Sequence, residues 1–528
     1  MQAARPAGQR FFQPKVIHDL LHDTPPANLL ADICIVGAGA AGITLAVEFA
    51  RKEKKVLLLE GGGAVREDSS QALYDSEIVG LPHRGIHTGR IRVKGGTTVR
   101  WGGQILELGA LDFTPRPDVP ESGWPFPKTE LTSFYERALH LEGLANVQRS
   151  DAAVWRDHHL PFTQFNDLEA YLSRWCPEPN FARLHNKTLT ANPNIHLWLH
   201  ASAVELMTEG ESATGVRCRT LTGVETVFRA RHYIFALGGI ESSRFFLQPR
   251  PGGLPWNRSG LLGQHFQDHI DCNAAQVIPH DLASFHDTFD PIFSRGFKYL
   301  PKLRLPPALQ SHLGTLSVGS TMGFEDTGKA RMQAKHTIRN LMRGRISEVT
   351  RANLTHTAKH VPMLFHQAWR YYVQRRAYAP PAVRIFLRIH CEQEPTSRSS
   401  ITLTDQRDPL GLLRVSFDWQ ISERELETIR QYVLIAQRSL ADVARIIPDP
   451  DLMSGSANFL ARCDDSNHHM GGMRMSTTDL TGVVDPNLRL YGTTNTYICS
   501  SAVFPCSGFS NPTHTVLALA ARLSDHLS

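Results

Sequence analysis

Long apolar runs are missing from this sequence. Runs such as Val56 to Leu59 and Tyr233 to Leu237 fall far short of the ~20 residues that a bilayer-spanning helix needs. The N-terminal stretch as far as Lys15 lacks the 7–15-residue apolar core of a secretory signal, so a cytoplasmic location is expected. Paired cysteine spacings are missing too. Eight cysteines stand singly at Cys34, Cys176, Cys218, Cys272, Cys391, Cys463, Cys499 and Cys506, which excludes a small disulfide framework and a CxxC-type zinc site. They read as reduced, mostly buried thiols. Internal repeats and low-complexity tracts are absent, and the formal charge of +5 points to no particular partner. What is present is ordinary: 41% hydrophobic and 20% charged residues over 528 positions describe a folded protein of at least two domains.

The segment from Asp32 to Gly63 reads as strand, turn, helix, strand. Ile33-Cys34-Ile35-Val36 is a continuous β-branched, apolar run of the kind buried in a parallel sheet. Gly37-Ala38-Gly39-Ala40-Ala41-Gly42 follows with GxGxxG spacing, then a helical stretch from Ile43 to Arg51 and a second strand, Val56 to Leu59, ending on Glu60. The glycines serve distinct physical ends. Gly37 permits the sharp turn, Gly39 lets backbone approach a pyrophosphate, and Gly42 lets helix and strand pack closely. The helix N-terminus faces the anion. Glu60, eighteen residues after Gly42, is placed to accept hydrogen bonds from an adenosine ribose.

Later pieces return to the same unit. Ile195 to Glu205 and Gly215 to Phe228 alternate like strands of a meander, Tyr233 to Gly239 is a buried strand ending in glycines, and Thr496 to Cys499 precedes a helix from Thr513 to about His526. The expected fold class is α/β (α+β overall): a discontinuous Rossmann-like nucleotide-binding domain made of residues 1–110, 190–270 and 455–528, and a second domain of residues 111–189 and 271–454. The second is expected to carry a mostly antiparallel sheet, an amphipathic helix from Ser422 to Ile446, and a helical insertion over 329–388.

Four blocks give the sequence its family resemblance. Val36 to Gly42 with Glu60 is the first. The second is Arg92-Val93-Lys94-Gly95-Gly96-Thr97-Thr98-Val99-Arg100-Trp101-Gly102-Gly103, followed by Ser122-Gly123-Trp124-Pro125. The third is His468-His469-Met470-Gly471-Gly472-Met473-Arg474-Met475, running into Gly482-Val483-Val484-Asp485, and the fourth is Val503 to Thr513. Together they resemble the glucose-methanol-choline (GMC) flavoprotein oxidoreductases, and the sugar- and glycoside-oxidising branch more than the aliphatic-alcohol branch. The resemblance implies FAD extended along Gly37, Gly39, Ala40, Ala41, Gly42 and Glu60. It further implies cofactor contacts at Gly95, Gly96, Thr97, Thr98, Trp101, Gly102, Val204, Ser501, Asn511, Pro512 and Thr513. Relatives that attach FAD covalently use a histidine in the second block; Arg100 stands there, so the expected FAD is non-covalent.

Oxidising an alcohol requires a base for the hydroxyl proton, and histidine suits this because its ordinary pKa of ~6.5 lies near working pH. The resemblance places that base at His468 and its partner at Asn511, which would orient the substrate oxygen. His468 and His469 are adjacent, and in extended chain they point to opposite faces, so one of them faces the substrate; the register favours His468. No metal site is expected. A helix-start role, rather than that of a second base, is expected for His514.

The expected function is FAD-dependent oxidation of a CH–OH group, a secondary hydroxyl of a sugar, glycoside or polyol, with a bulky sterol- or polyketide-like alcohol as the alternative. A non-catalytic flavin-binding partner protein is the reading from another class. The electron acceptor is open among oxygen, a quinone and a redox protein, and nucleic acid is not expected. Lys329 to Arg388 carries thirteen Lys/Arg against one acidic residue, Glu348. It reads either as a solvated helical lid or as a peripheral surface for an anionic lipid headgroup, an acidic acceptor protein or an acidic substrate.

Overall fold

The computed structural model describes residues 16–26, 29–159, 165–326, 361–377 and 383–528. Strand Leu30–Val36 pairs in parallel with Val56–Leu59 on one side and Glu225–Phe235 on the other, and helix Ala40–Arg51 joins the first two. Ile33, Cys34, Ile35 and Val36 are buried, as a central parallel strand requires. The turn depends on glycine twice. Gly37 has φ +106°, a left-handed conformation that side chains disfavour, and a Cβ on Gly42 would lie 1.8 Å from the Gly37 carbonyl oxygen.

Among the described residues this sheet has eight strands. Seven run in the order Ile17–Asp19, Ile195–Leu199, Val56–Leu59, Leu30–Val36, Glu225–Phe235, Ser212–Arg219, Ser202–Glu209, while Thr496–Ile498 pairs with the second half of Glu225–Phe235. The meander and the later buried strand are therefore joined: Arg229 to His232 keeps an alternating exposure, so one strand runs through from Glu225 to Phe235. Its first half pairs antiparallel with Ser212–Arg219, and its second half joins the parallel core.

A nine-stranded sheet among the described residues is antiparallel. Its main path runs Ala444–Pro448, Ile270–Pro279, Val383–Cys391, Val318–Asp326, Phe297–Arg304, Glu169–Trp175, Gln104–Ile105. A small third sheet pairs Ser400–Arg407, Leu413–Asp418 and Ser76–Ile78. Helix Glu423–Ser439 packs on the nine-stranded sheet and begins with a capping box, Ser422 and Glu425 bonding each other's backbone N–H. It stops seven residues before the expected Ile446, because Ala444–Pro448 forms an edge strand on Ile270–Pro279. Val443, Ile446 and Ile447 suit that pleated surface better than a helix.

The C-terminal helix Pro512–His526 is buried along most of its length, packing on Ala40–Arg51 and on Thr132–Leu141. This tethers the last block to the first. All eight cysteines are unpaired, and seven are buried. Among the described residues no helix is long and apolar enough to cross a membrane. Most of the basic segment lies outside the described residues; helix Val361–Tyr372 lies within them and exposes Phe365, Trp369 and Tyr372.

The two turn glycines separate fold from cofactor. Gly42→Ala should cost at least ~1–3 kcal/mol, the usual penalty for overpacking, and lower the melting temperature of apoprotein and holoprotein alike. A Cβ on Gly39 meets nothing within 4 Å, so Gly39→Val should melt like the parent apoprotein yet purify colourless. Comparing apoprotein melting curves with flavin absorbance checks both.

Candidate active site

The parallel strands end at a cavity of about 680 Å³. Its wall takes in the C-terminal ends of Leu30–Val36, Val56–Leu59 and Glu225–Phe235, through Val36, Glu60 and Ala236 to Glu241, where open α/β sheets bind their ligands. Gly37, Gly39, Ala40, Ala41, Glu60, Gly96, Thr97, Thr98, Trp101, Gly102, Ser501, Asn511, Pro512 and Thr513 all line it, as do His468 and His469. Gly42 and Gly95 stand behind the wall. Gly42 supports the turn, and the Gly95 N–H donates to the Ala38 carbonyl at 2.9 Å. A Cβ on Gly96 would lie 2.9 Å from Gly39 Cα, so two glycines make the contact between the first and second blocks. Val204 is not among the lining residues; its neighbours Ala201, Ser202 and Ala203 are, and the strand pairing shifts register between Ala203 and Glu205.

These features fit FAD. The Cβ direction of Gly39 opens into the cavity and that of Gly238, at φ +80°, is equally free, leaving backbone exposed where a pyrophosphate needs close approach. Glu60 is buried with Oε2 accepting from the Ala38 N–H (3.0 Å) and Oε1 from the Gly62 N–H (2.8 Å). Burial pushes its carboxyl pKa up; those two N–H groups and Arg92 act in the opposite sense. Trp101 is anchored by its indole N–H on the Pro179 carbonyl at 2.6 Å. Two buried arginines also line the wall: Arg90, paired with Glu241 at 2.6 Å, and Arg244, paired with Asp408 at 2.6 Å.

At the cavity wall the third and fourth blocks meet. Gly471 N–H donates to the Ser501 carbonyl, Met473 N–H to Ala502 and Met475 N–H to Val503, at 2.9–3.0 Å. The Ser501 hydroxyl donates to the His469 carbonyl at 2.6 Å. This ladder sets His468 Nε2 3.0 Å from Asn511 Nδ2. The neighbouring rings diverge: His468 turns to Asn511 and to His269, whose Nδ1 lies 2.8 Å from His468 Nδ1. His469 Nε2 instead faces Asp268 Oδ2 at 3.9 Å and has no hydrogen-bond partner. Although His468 keeps part of its surface open to the cavity, its pKa is driven well below the ordinary value by desolvation, with His269, His390 and Lys302 adding to it. It is neutral at neutral pH, the form that accepts a proton.

Three residues behind this pair went unread in the sequence. Asp268 Oδ1 accepts the backbone N–H of His269 (2.7 Å), His468 (2.9 Å) and Ser466 (3.3 Å), while Oδ2 accepts His83 Nε2–H at 3.1 Å. His83 Nδ1 accepts the Ile86 N–H, which fixes that tautomer. His83, Asp268 and His469 keep their donor atoms within 4.8 Å of one another, a spacing that could also hold a metal ion. The only sequence signal was the Gln267-Asp268-His269 run opening a strand, distant from every glycine block. His514 lies in the C-terminal helix, fully buried, and donates Nδ1–H to Glu142 Oε2 at 2.8 Å.

The comparisons with known proteins converge on this architecture. The family model described as GMC oxidoreductase matches residues 395–520, and that described as FAD binding domain matches 32–74. The chain thus carries a GMC oxidoreductase C-terminal domain together with an FAD-binding segment. Its cofactor is FAD, and it is an FAD-dependent oxidoreductase acting on alcohol groups. A 6‴-hydroxyparomomycin C oxidase of Streptomyces lividus is 23% identical over 94% of this chain and 91% of its own. A 2-methyl-1,2-propanediol dehydrogenase of Mycolicibacterium austroafricanum is 20% identical over 94% and 95%. Among solved structures, pyridoxine 4-oxidase from Mesorbium loti superposes with a TM-score of 0.59 at 16% identity, covering 94% of this chain and 99% of that one. A formate oxidase gives 0.55 at 15%, covering 94% and 98%.

The His514–Glu142 pair makes a prediction about stability. Burial opposes charge on His514, but Glu142 outweighs it and raises the pKa. The pair's contribution is therefore full below the unfolded value of ~6.5 and is lost as pH rises through the raised folded value. His514→Gln should cost ~3–5 kcal/mol at low pH, the scale of a broken buried pair, and the deficit should shrink above neutrality. Melting curves of both proteins against pH check the difference.

Proposed function

We propose that the enzyme oxidises a secondary hydroxyl of a sugar, glycoside or polyol to a carbonyl, with His468 as the base and Asn511 as the positioning group. The observation that carries this reading is the 3.0 Å approach of His468 Nε2 and Asn511 Nδ2 at the wall of a glycine-lined cavity. Bound FAD supplies the hydride acceptor. Everything else falls to the chain. His468 Nε2 takes the hydroxyl proton, and it is free to do so because desolvation keeps the ring neutral. The Asn511 amide holds the same oxygen without competing for its proton, fixing the carbinol carbon in one orientation. Arg90 and Arg244, neutralised by Glu241 and Asp408, would hold the cofactor end of the cavity.

The substrate class rests on the block resemblance and on the relatives named as oxidases of 6‴-hydroxyparomomycin C and paromamine. FAD is held non-covalently in this reading, since Arg100 lines the cavity within the second block and no histidine occurs from Arg92 to Gly103. Residues 1–110, 190–270 and 455–528 are the proposed cofactor domain and 111–189 and 271–454 the proposed substrate domain, with exchanges between them: Gln104–Ile105 and Asp464–Asp465 pair into the antiparallel sheet, and Thr132–Leu141 packs on the C-terminal helix. Eight unpaired thiols suit a reducing compartment, which supports a cytoplasmic location.

Anaerobic mixing with sugars, glycosides, polyols, sterols and simple alcohols, followed by flavin bleaching, should single out the sugar-like donors. Bleaching by sterols alone would select the bulky-alcohol reading, and bleaching by nothing in the panel would select a non-catalytic flavoprotein. His468→Ala and Asn511→Ala should stay yellow while reduction slows ~10²–10⁴-fold, the span of a lost proton-transfer group. Denaturation and ultrafiltration should release all of the flavin; yellow retained on the protein overturns the non-covalent assignment.

A further inference from the structure

Resting on the assignment of His468 as the base, we propose that His269 is the positioning residue that sets its tautomer, accepting the His468 Nδ1 proton so that Nε2 carries none and takes the substrate's once the Asn511 amide passes from Nε2 to the substrate oxygen. The derivation is one of donors and acceptors. An amide nitrogen carries only hydrogens to give, so Asn511 Nδ2 donates to His468 Nε2 across 3.0 Å. Nε2 is then unprotonated. A neutral imidazole holds one proton, and in His468 it must sit on Nδ1. His269 Nδ1 is 2.8 Å away, so it is the acceptor, and His269 keeps its own proton on Nε2. That atom is buried without a hydrogen-bond partner.

The surroundings leave His269 as a neutral acceptor. It is fully buried at the head of strand Ile270–Pro279. Desolvation lowers its pKa to about 4; Glu392 and the Ser507 and Gly508 backbone act against that, while Lys302 adds to it. Glu392 is committed to Arg116 through two bonds of 2.6 and 2.8 Å. His390, on the neighbouring strand Val383–Cys391, is likewise held well below its ordinary value. When the substrate O–H bond breaks, its proton forms the Nε2–H bond and the oxygen keeps the electron pair. The Nδ1–H···Nδ1 bond then becomes charge-assisted and stabilises the imidazolium. His269 touches neither substrate nor cofactor; it acts through His468. Its backbone is fixed independently, the N–H donating to Asp268 Oδ1 at 2.7 Å, so the ring is held at one distance from the base.

The variants that test this are His269→Leu, which removes the acceptor, and His269→Asn, whose Oδ1 stands where Nδ1 stood. Ring ¹⁵N shifts of histidine-labelled, flavin-loaded protein, with the His468 signals assigned by difference against His468→Gln, report the tautomer without any substrate. The parent should show His468 protonated at Nδ1; His269→Leu should lose that state and His269→Asn should keep it. With the donor found by flavin bleaching, His269→Leu should reduce ~10²–10⁴-fold more slowly at unchanged KM, and His269→Asn should recover to within about tenfold. A parent His468 protonated at Nε2 overturns the proposal. So do equal rates in all three proteins, or equal losses in both variants, which would make His269 mere packing. If no alcohol bleaches the flavin, the functional reading falls and the ring shifts still decide the tautomer.

Discussion

One buried carboxylate holds the chemistry in register. Asp268 lies near the start of the antiparallel sheet, yet its two oxygens gather backbone N–H groups from its own strand and from the Ser466–His468 turn, together with the ring of His83. A carboxylate with no water around it is costly by several kcal/mol, and burial pushes the Asp268 pKa up accordingly. Four donors offset that cost through charge-assisted bonds. The consequence is geometric: the segment bearing His468 is fixed to a strand two hundred residues away in sequence, which holds His468 beside Asn511. The glycines complete the fixation. A Cβ on Gly471 would lie 2.0 Å from the His265 carbonyl oxygen, and one on Gly239 2.3 Å from that of His469.

What could be read in advance followed the range of each signal. The nucleotide turn was legible because its causes are local: Gly37, Gly39 and Gly42 act within six residues of one another, and the β-branched run before them can only be a buried strand. His468 and Asn511 were legible through blocks whose spacing is characteristic. Asp268, His269 and His83 were not, since nothing near them in sequence announces that their partners are Ser466 and His468. Helix ends went the same way. Ser422 and Glu425 mark the start of Glu423–Ser439 plainly, but its end is set by Ile270–Pro279, which draws Ala444–Pro448 into the sheet.

Val204 shows how a local irregularity changes which residues of a strand line a cavity. The strand Ser202–Glu209 has the expected place beside Ser212–Arg219, but the shift between Ala203 and Glu205 moves the lining residue back by one. Side-chain direction in a strand has a period of two, so a single irregularity reassigns every contact beyond it.

The same alternation resolves the adjacent histidines into different roles. His468 turns toward Asn511 and the cavity, and His469 toward Asp268 and His83. Both rings are kept neutral by burial, as are His269 and His390. These four imidazoles start uncharged, and the buried Lys302, whose own pKa is lowered to about 8, keeps its charge at neutral pH and opposes charge on His468, His269 and His390. In the proposed role, charge develops on His468 only as the hydroxyl proton crosses, next to the oxygen that is becoming anionic. A base charged beforehand could not accept the proton, and one beside a free carboxylate would hold a proton too firmly to start uncharged. Committing Asp268 to backbone donors and Glu392 to Arg116 keeps both carboxylates away from the ring nitrogens of His468, and that division of partners is what the proposed role of His468 as base requires.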